Sequence, residues 1–281
     1  MTTTPSMPAD EDPHKIAAAW LAEAKRVVVF TGAGVSAESG IDTFRDNTGL
    51  WRRFPPERFA TLPGLLAVAV KEPAELAAFL RAVLGPIAAA RPNPAHLAIA
   101  ALERHVATTV VTQNIDGLHQ EAGSTTVREI HGTLFDVVSP TGHKVRTLTR
   151  ADLVRLVAAL ERIERGPFKL PRLIRATSPL MGLGKGLAHR PRVVLFGEHL
   201  AEPDWSCAER DASACDVMLV VGTSGEVYPA ASLPERASDV GARVIGVGLE
   251  PGYGDLWLMG KAGEILPRLV EDAFGDVTPR G

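Results

Sequence analysis

Five clusters of small and polar residues stand where chemistry is possible. Gly32-Ala33-Gly34-Val35-Ser36 follows the apolar run Val27 to Phe30. Glycines at such a turn let the backbone approach a pyrophosphate, and a following helix would offer free N–H donors. A plain strand-to-helix turn is the other reading, because the spacing is not GxGxxG. Ser36, Ser39 and Gly40 continue it, then Phe44 and Arg45, the arginine being either a phosphate clamp or a solvated surface cation. Gln113-Asn114-Ile115-Asp116 ends the run Thr109 to Thr112. Its amides and carboxylate suit a polar ligand outside a strand end, although a capped turn uses similar residues. His131-Gly132 closes Val127 to Ile130, and an imidazole there is either structural or a base near neutral pH. Phe196-Gly197-Glu198 and Gly222-Thr223-Ser224 end two further runs; the hydroxyls of the second suit phosphate or ribose.

The elements that must position these clusters follow from hydrophobic periodicity. Short apolar runs at Val27 to Phe30, Thr109 to Thr112, Val193 to Phe196, Val217 to Val221 and Val244 to Val247 read as buried parallel strands. Helical patterns lie between them at Pro94 to Arg104, Asp204 to Ala214, Ala230 to Val240 and Ala262 to Ala273, and Asp12-Pro13 starts a first helix through Trp20 and Leu21. Alternation of this kind predicts an α/β fold, a Rossmann-like doubly wound parallel sheet with a smaller inserted module. Residues 46–105 carry helical patterns (Leu62 to Val70, Ala74 to Ala90) without a convincing strand. Residues 136–190 hold an amphipathic helix from Ala151 to Leu160, then a Pro/Gly-rich, weakly periodic stretch from Gly166 to Gly186. The expected partition is a sheet domain from 13–45, 106–135 and 191–275, interrupted by a helical insertion at 46–105 and a small, loosely packed one at 136–190.

Composition narrows the function classes. With 281 residues, 46% hydrophobic and 22% charged, the chain is neither disordered nor a coiled coil. A net charge of −3 and no Lys/Arg run leave no footprint for nucleic acid. No 18-residue apolar run is present, so no membrane span is expected. The opening MTTTPSMPADED lacks a basic start and an apolar stretch and reads as a frayed tail, not a signal peptide. Two cysteines, Cys207 and Cys215, are too few for a disulfide framework or a four-ligand metal site, and a cytoplasmic, reducing location is expected.

Together the segments resemble the sirtuins, NAD-dependent protein deacylases. The matching stretches are Gly32 to Ile41 with Phe44-Arg45; Pro92-Asn93-Pro94-Ala95-His96; Thr112 to Leu118; His131-Gly132; Arg190-Pro191 through Glu198; Gly222-Thr223-Ser224 with Pro229-Ala230-Ala231; and Gly260 to Pro267. They stand in family order. The resemblance implies an NAD site with Gly32, Ala33, Gly34, Ser36 and Arg45 toward the phosphates and Gln113 and Asn114 on the nicotinamide ribose. Ile115 and Asp116 would line the nicotinamide pocket, Asp116 accepting from the carboxamide, while Phe44 screens the sugar carbon. Gly222, Thr223, Ser224, Gly248 and Ala262 complete the implied cofactor set; Phe196, Gly197, Glu198 and Val227 are the implied contacts to an acylated protein or peptide lysine. His131 would be the general base, with Asn114 the second catalytic residue. In the family's chemistry the acyl oxygen displaces nicotinamide, a ribose hydroxyl activated by the base attacks the adduct, and free lysine and O-acyl-ADP-ribose result.

Departures from the family pattern are equally specific. Where most sirtuins carry two CxxC pairs of a zinc ribbon, this chain has Ser139-Pro140-Thr141-Gly142 and Ser178-Pro179-Leu180-Met181, so a zinc-free module with no metal site is expected. His143 alone is not a site. Gly248 replaces an Asn expected on the adenine-side ribose, and Gly225 replaces an apolar residue of the substrate loop. Leu80 and Val83 stand where deacylases for acidic acyl groups carry Tyr and Arg, so neutral acyl groups are expected. An NAD glycohydrolase or ADP-ribosyltransferase is the alternative activity, and a non-enzymatic NAD sensor the alternative class.

Overall fold

The computed structural model describes residues 12–42, 50–181 and 189–275. Nine strands lie among them: β1 (Arg26–Thr31), β2 (Ala107–Thr112), β3 (Val127–Glu129), β4 (Gly132–Val138), β5 (Lys144–Thr147), β6 (Arg190–Val193), β7 (Val217–Val221), β8 (Arg243–Gly248) and β9 (Leu256–Met259). Six form one sheet in the order β3-β2-β1-β7-β8-β9, every pair parallel. Side chains alternate across it. Val27 and Val29 of β1 enter one core with helices Pro13–Glu23, Pro94–Leu102 and Ala262–Phe274. Val28 and Phe30 enter the other, beneath helices Asp204–Ala212 and Leu233–Asp239. β-branched residues suit strands covered on both faces. Strand order reverses between β1 and β7, the switch point where open α/β sheets bind ligands. The expected α/β class is therefore the observed one.

The second body is built from two distant chain segments. Helices Leu62–Lys71 and Pro73–Ala89 come from the first, helices Arg150–Arg165 and Lys169–Met181 from the second. Their apolar faces share one core containing Phe54, Phe59, Phe79, Leu84, Leu153, Leu156 and Leu160. Arg81 joins the two halves across its surface, its Nε 2.6 Å from Glu164 Oε1. Beside them β4, β5 and β6 form a small antiparallel sheet in the order β5-β4-β6.

Several expectations need correction. The run Val193 to Phe196 is not a strand of the parallel sheet: the strand is Arg190–Val193, and it lies at the edge of the small sheet, antiparallel to β4. Pro191 has no N–H for a second neighbour, which suits an edge. Strands β4 and β5 were not expected, nor was β9, whose four residues are too few to show alternation. The stretch from Gly166 is helical over Lys169–Met181, because Pro171 falls in its first turn, where a missing N–H costs nothing. The described part of the insertion, through its helices Arg150–Arg165 and Lys169–Met181, is not loosely packed, since Leu153, Leu160 and Leu173 are buried. Pro94–Leu102 packs in the core of the parallel sheet, although it lies within 46–105. Cys215 lies past the end of helix Asp204–Ala212, where its thiol donates to Ala212 O and burial pushes its pKa up to about 11.

Candidate active site

The strand ends of β1 and β7 meet backbone to backbone. Gly32 N–H donates to Val221 O at 3.1 Å and Gly34 N–H to Gly222 O at 2.8 Å. A Cβ on Gly34 would stand 2.8 Å from Gly222 Cα, and one on Gly32 2.8 Å from Thr223 Cβ. Gly222 itself has φ +58°, and a Cβ there would collide with Val35 N. The glycines therefore answer first to a neighbour inside the protein. The helix that follows is one short turn, Gly34–Ala37, rather than a long donor array. Val35 and Ser36 donate within it to Gly32 O and Ala33 O, and no acceptor for the Ala33 N–H lies among the described residues.

Against this cradle lies the end of β2. Thr112 hands over to Gln113, whose N–H extends the ladder to Thr31 O and whose Nε2 donates to Thr223 Oγ1 at 2.9 Å. Asn114 Nδ2 donates to Gly32 O at 3.0 Å and Ser36 Oγ at 3.1 Å. Ser36 Oγ donates in turn to Asp116 Oδ2 at 2.7 Å, and Leu118 N–H to Asp116 Oδ1 at 2.9 Å. Asp116 is only 4% exposed. Burial raises its pKa, while those two hydrogen bonds and the charge of Arg150 pull the other way. Ile115 is tied to β4 through its carbonyl, which accepts from Leu134 N–H at 3.2 Å.

His131 sits where β3 gives way to β4. Its Nδ1 lies 3.0 Å from Gln113 O. A carbonyl can only accept, so Nδ1 carries the proton and Nε2 keeps a free lone pair. Burial lowers its pKa, the Gln113 contact opposing. The imidazole is thus a neutral base of defined tautomer. Gly132, at φ +72°, allows the close pass of Arg192 O, with which any Cβ would collide. Val194 N–H donates to His131 O at 2.9 Å, so β6 delivers the following turn beside the histidine.

That turn holds Phe196, Gly197 and Glu198. Phe196 is 60% exposed and lies 5.8 Å from the Trp51 ring. Gly197 has φ +87°. The Glu198 carboxylate pairs bidentately with Arg190 at 2.7 and 2.8 Å and accepts from Leu195 N–H, so it folds the turn. Ser224 and Val227 are exposed on the stretch after Thr223, and Gly225 at φ +68° bends it. Gly248 lies under the Trp257 ring, where a Cβ would come within 3.2 Å. It is linked to the cradle by Gly222 N–H to Val247 O and to Ala262's helix by Gly260 N–H to Gly248 O. Phe44 and Arg45 lie outside the described residues.

The structure also recruits Thr31 and His119, which lie just outside the motifs, and gives Asn93 and His96 of the Pro92 to His96 motif a structural part. Beneath Asn114, whose N–H donates to Thr112 Oγ1 at 3.1 Å, Thr31 Oγ1 donates to the same oxygen at 2.8 Å. His119 Nε2 lies 3.0 Å from Thr31 Oγ1 and must therefore be its donor. His96 stacks obliquely on His119, ring centroids 4.8 Å apart, and burial lowers their pKa values to about 4 and about 3. Asn93 caps helix Pro94–Leu102 and donates to Val35 O at 2.8 Å and Ser39 Oγ at 3.0 Å. For Thr31 and His119 only their positions beside the motifs hinted at this.

A model of the Sir2 family matches residues 32–229. The chain is 42% identical over 257 residues to NAD-dependent protein deacylase 2 of Pyrobaculum aerophilum, covering 90% of this chain and 92% of that protein. It is 44% identical over 261 residues to the NAD-dependent protein deacylase of Desulfosudis oleivorans, covering 91% and 93%. Among solved structures, a Sir2 homologue in complex with NAD superposes with a TM-score of 0.73 at 35% identity over 94% of each chain. A Sir2 enzyme bound to a myristoylated histone peptide superposes at 0.67 with 34% identity, over 93% of this chain and 96% of that one.

Proposed function

The chain belongs to the Sir2 family, and from that premise we propose that it is an NAD-dependent protein deacylase acting on acyl-lysine. The observation that carries this reading is His131, a neutral histidine whose tautomer is set by Gln113 O and whose Nε2 is left to accept a proton. A pure NAD sensor needs no such base. The residues at the switch point fit the cofactor: interlocked glycines leave the backbone bare, and Gln113, Asn114 and Asp116 present amides and a carboxylate beside it.

NAD supplies a glycosidic bond to a good leaving group and the ribose hydroxyl that receives the acyl group. The protein's share is holding and proton handling. Asn114, with its Nδ2 fixed between Gly32 O and Ser36 Oγ, would hold the ribose through its carbonyl oxygen. Asp116 accepts from the carboxamide, and its burial strengthens that bond. Gly32, Ala33, Gly34 and Ser36 would line the phosphate side; the family resemblance assigns Arg45 and Phe44, outside the described residues, the roles of phosphate cation and shield of the reacting carbon. Thr223, Ser224, Gly248 and Ala262 line the adenosine side. His131 takes the hydroxyl proton at Nε2. Phe196, Gly197 and Val227 flank the acyl-lysine. Leu80 and Val83, half-buried in the apolar core of the insertion, favour neutral acyl groups. A cytoplasmic location and a zinc-free insertion belong to the same reading.

The test is incubation with NAD, with and without acetylated and succinylated peptides, followed by product identification. Peptide-dependent O-acetyl-ADP-ribose is expected. Free ADP-ribose without peptide would make the chain a glycohydrolase, and absence of turnover with retained NAD binding would make it a sensor.

A further inference from the structure

Arg150 opens helix Arg150–Arg165 of the insertion and reaches from it to the loop that carries Asp116. Its guanidinium spreads over three acceptors. Nη2 donates to Asp116 O at 3.1 Å, Nη1 to Ile87 O, and Nε to the Glu121 carboxylate. Its Cζ lies 5.5 Å from the Phe135 ring centroid, and the edge of that same ring closes on Gly117, at 2.9 Å from where a Cβ would stand. The side chain is 16% exposed. Glu121 lies on helix Leu118–Ala122, which follows the loop, so one side chain grips the loop at Asp116 and again just beyond it.

We propose that Arg150 is a positioning residue for the nicotinamide pocket, holding the peptide carbonyl of Asp116 from the insertion and so setting where the Asp116 carboxylate stands. The inference rests on the reading of Asp116 given above and extends it to a residue outside the sheet domain. Arginine is required because a planar fork can serve a carbonyl, a second carbonyl and a carboxylate while stacking on a ring; a lysine ammonium cannot reach all of them in one pose. The start of the helix is itself fixed, since Thr149 Oγ1 accepts from Asp152 N–H at 3.2 Å and Asp152 Oδ2 accepts from Thr149 N–H at 2.8 Å. The cation also favours the ionised form of a carboxyl that burial disfavours.

The experiment compares Arg150→Met and Arg150→Lys with the unchanged protein and with Arg155→Ala, an exposed arginine of the same helix that pairs with Asp152. Steady-state kinetics, inhibition by nicotinamide and calorimetric NAD binding are measured, with thermal melts to verify folding. For Arg150→Met, the KM for NAD and the nicotinamide inhibition constant rise about tenfold, the loss of one charge-assisted hydrogen bond, while the KM for acyl-peptide stays within about twofold. Arg150→Lys falls between, and Arg155→Ala is unchanged. Folded Arg150→Met with both constants unaltered overturns the proposal, as does a fall in kcat alone. If Arg150→Met does not fold, Arg150→Lys with wild-type constants overturns it. NAD binding is read without turnover, so failure of the deacylase reading would show as no lysine product in the unchanged protein and leave the Arg150 comparison readable.

Discussion

The two apolar bodies of this molecule are built on opposite plans. In the parallel sheet, short valine-rich strands are covered on both faces, and the reactive groups stand at their ends on backbone that interlocks through Gly32, Gly34 and Gly222. In the insertion, leucines and phenylalanines from residues 54–88 and 134–173 meet across a long sequence gap; Ile115 of the cofactor cluster packs against them, and Arg150 holds the carbonyl of Asp116. Strand ends fix position, because the parallel ladder leaves no play in register. A helical core assembled from two segments fixes shape, because its surface can vary while its interior holds. On the reading proposed above, the first plan suits groups that must meet the cofactor in fixed register, and the second suits a wall beside the acyl group.

The largest expected effect breaks the first plan at one atom. His131→Ala lowers deacylation by at least about 100-fold, the usual share of a general base, while NAD binding by calorimetry changes little; equal turnover by the mutant would assign the base elsewhere. On the other body, Leu160→Ala removes a fully buried side chain and costs about 2–5 kcal/mol, read as a lowered melting temperature. If the two plans are separable, that variant loses acyl-peptide affinity before it loses NAD affinity.

Acidification sharpens the contrast from the sheet side. His96 and His119, with folded pKa values of about 4 and about 3, bind no proton in the native state near neutrality, whereas the unfolded chain protonates near the ordinary 6.5. Stability is therefore fully present above about pH 6.5, falls as pH drops below it, and stops falling on this account only near pH 4 for His96 and pH 3 for His119. The sum is of the order of a few kcal/mol. Denaturant titrations at pH 7.5 and 5 measure it, and His119→Asn flattens the slope; an unchanged slope would show that the pair does not carry it. The smallest effect is a null one. Chelators leave melting temperature and activity unchanged, because the tip of the β4–β5 hairpin is closed by hydroxyls: Ser139 Oγ to Thr141 Oγ1 at 2.8 Å, Thr141 Oγ1 to His143 Nδ1 at 3.0 Å and His143 N–H to Ser139 Oγ at 3.2 Å. Metal analysis giving about one zinc per chain would contradict this.

Legibility in the sequence followed locality. Runs such as Val217–Val221 announced themselves because a strand buried on both faces must be apolar throughout, and the helix Ala262–Phe274 because its buried residues recur at helical spacing. β4 and β5 were missed because a short antiparallel pair with Asp136, Lys144 and Arg146 exposed or half-exposed shows neither a long apolar run nor clean alternation. The run Val193 to Phe196 misled for the opposite reason. It is apolar, but it answers to β4 and to the Ala60 carbonyl, which accepts from Phe196 N–H, rather than to the sheet.

By itself the sequence determined the α/β class, the short apolar runs whose ends carry Gly32, Asn114 and His131, and the loss of four cysteine ligands, since each depends on residue type at one place in the chain. Only the tertiary structure decided which atoms are free to act. The tautomer of His131 depends on a carbonyl eighteen residues away in β2's turn, at 3.0 Å from Nδ1. The glycines of the first turn proved to be shaped by Gly222, about 190 residues later, and Asp116 is gripped by an arginine from the insertion. A side chain's partners across space are not written in its neighbours along the chain, because hydrogen bonds are made by distance and direction, and those exist only once both elements have packed.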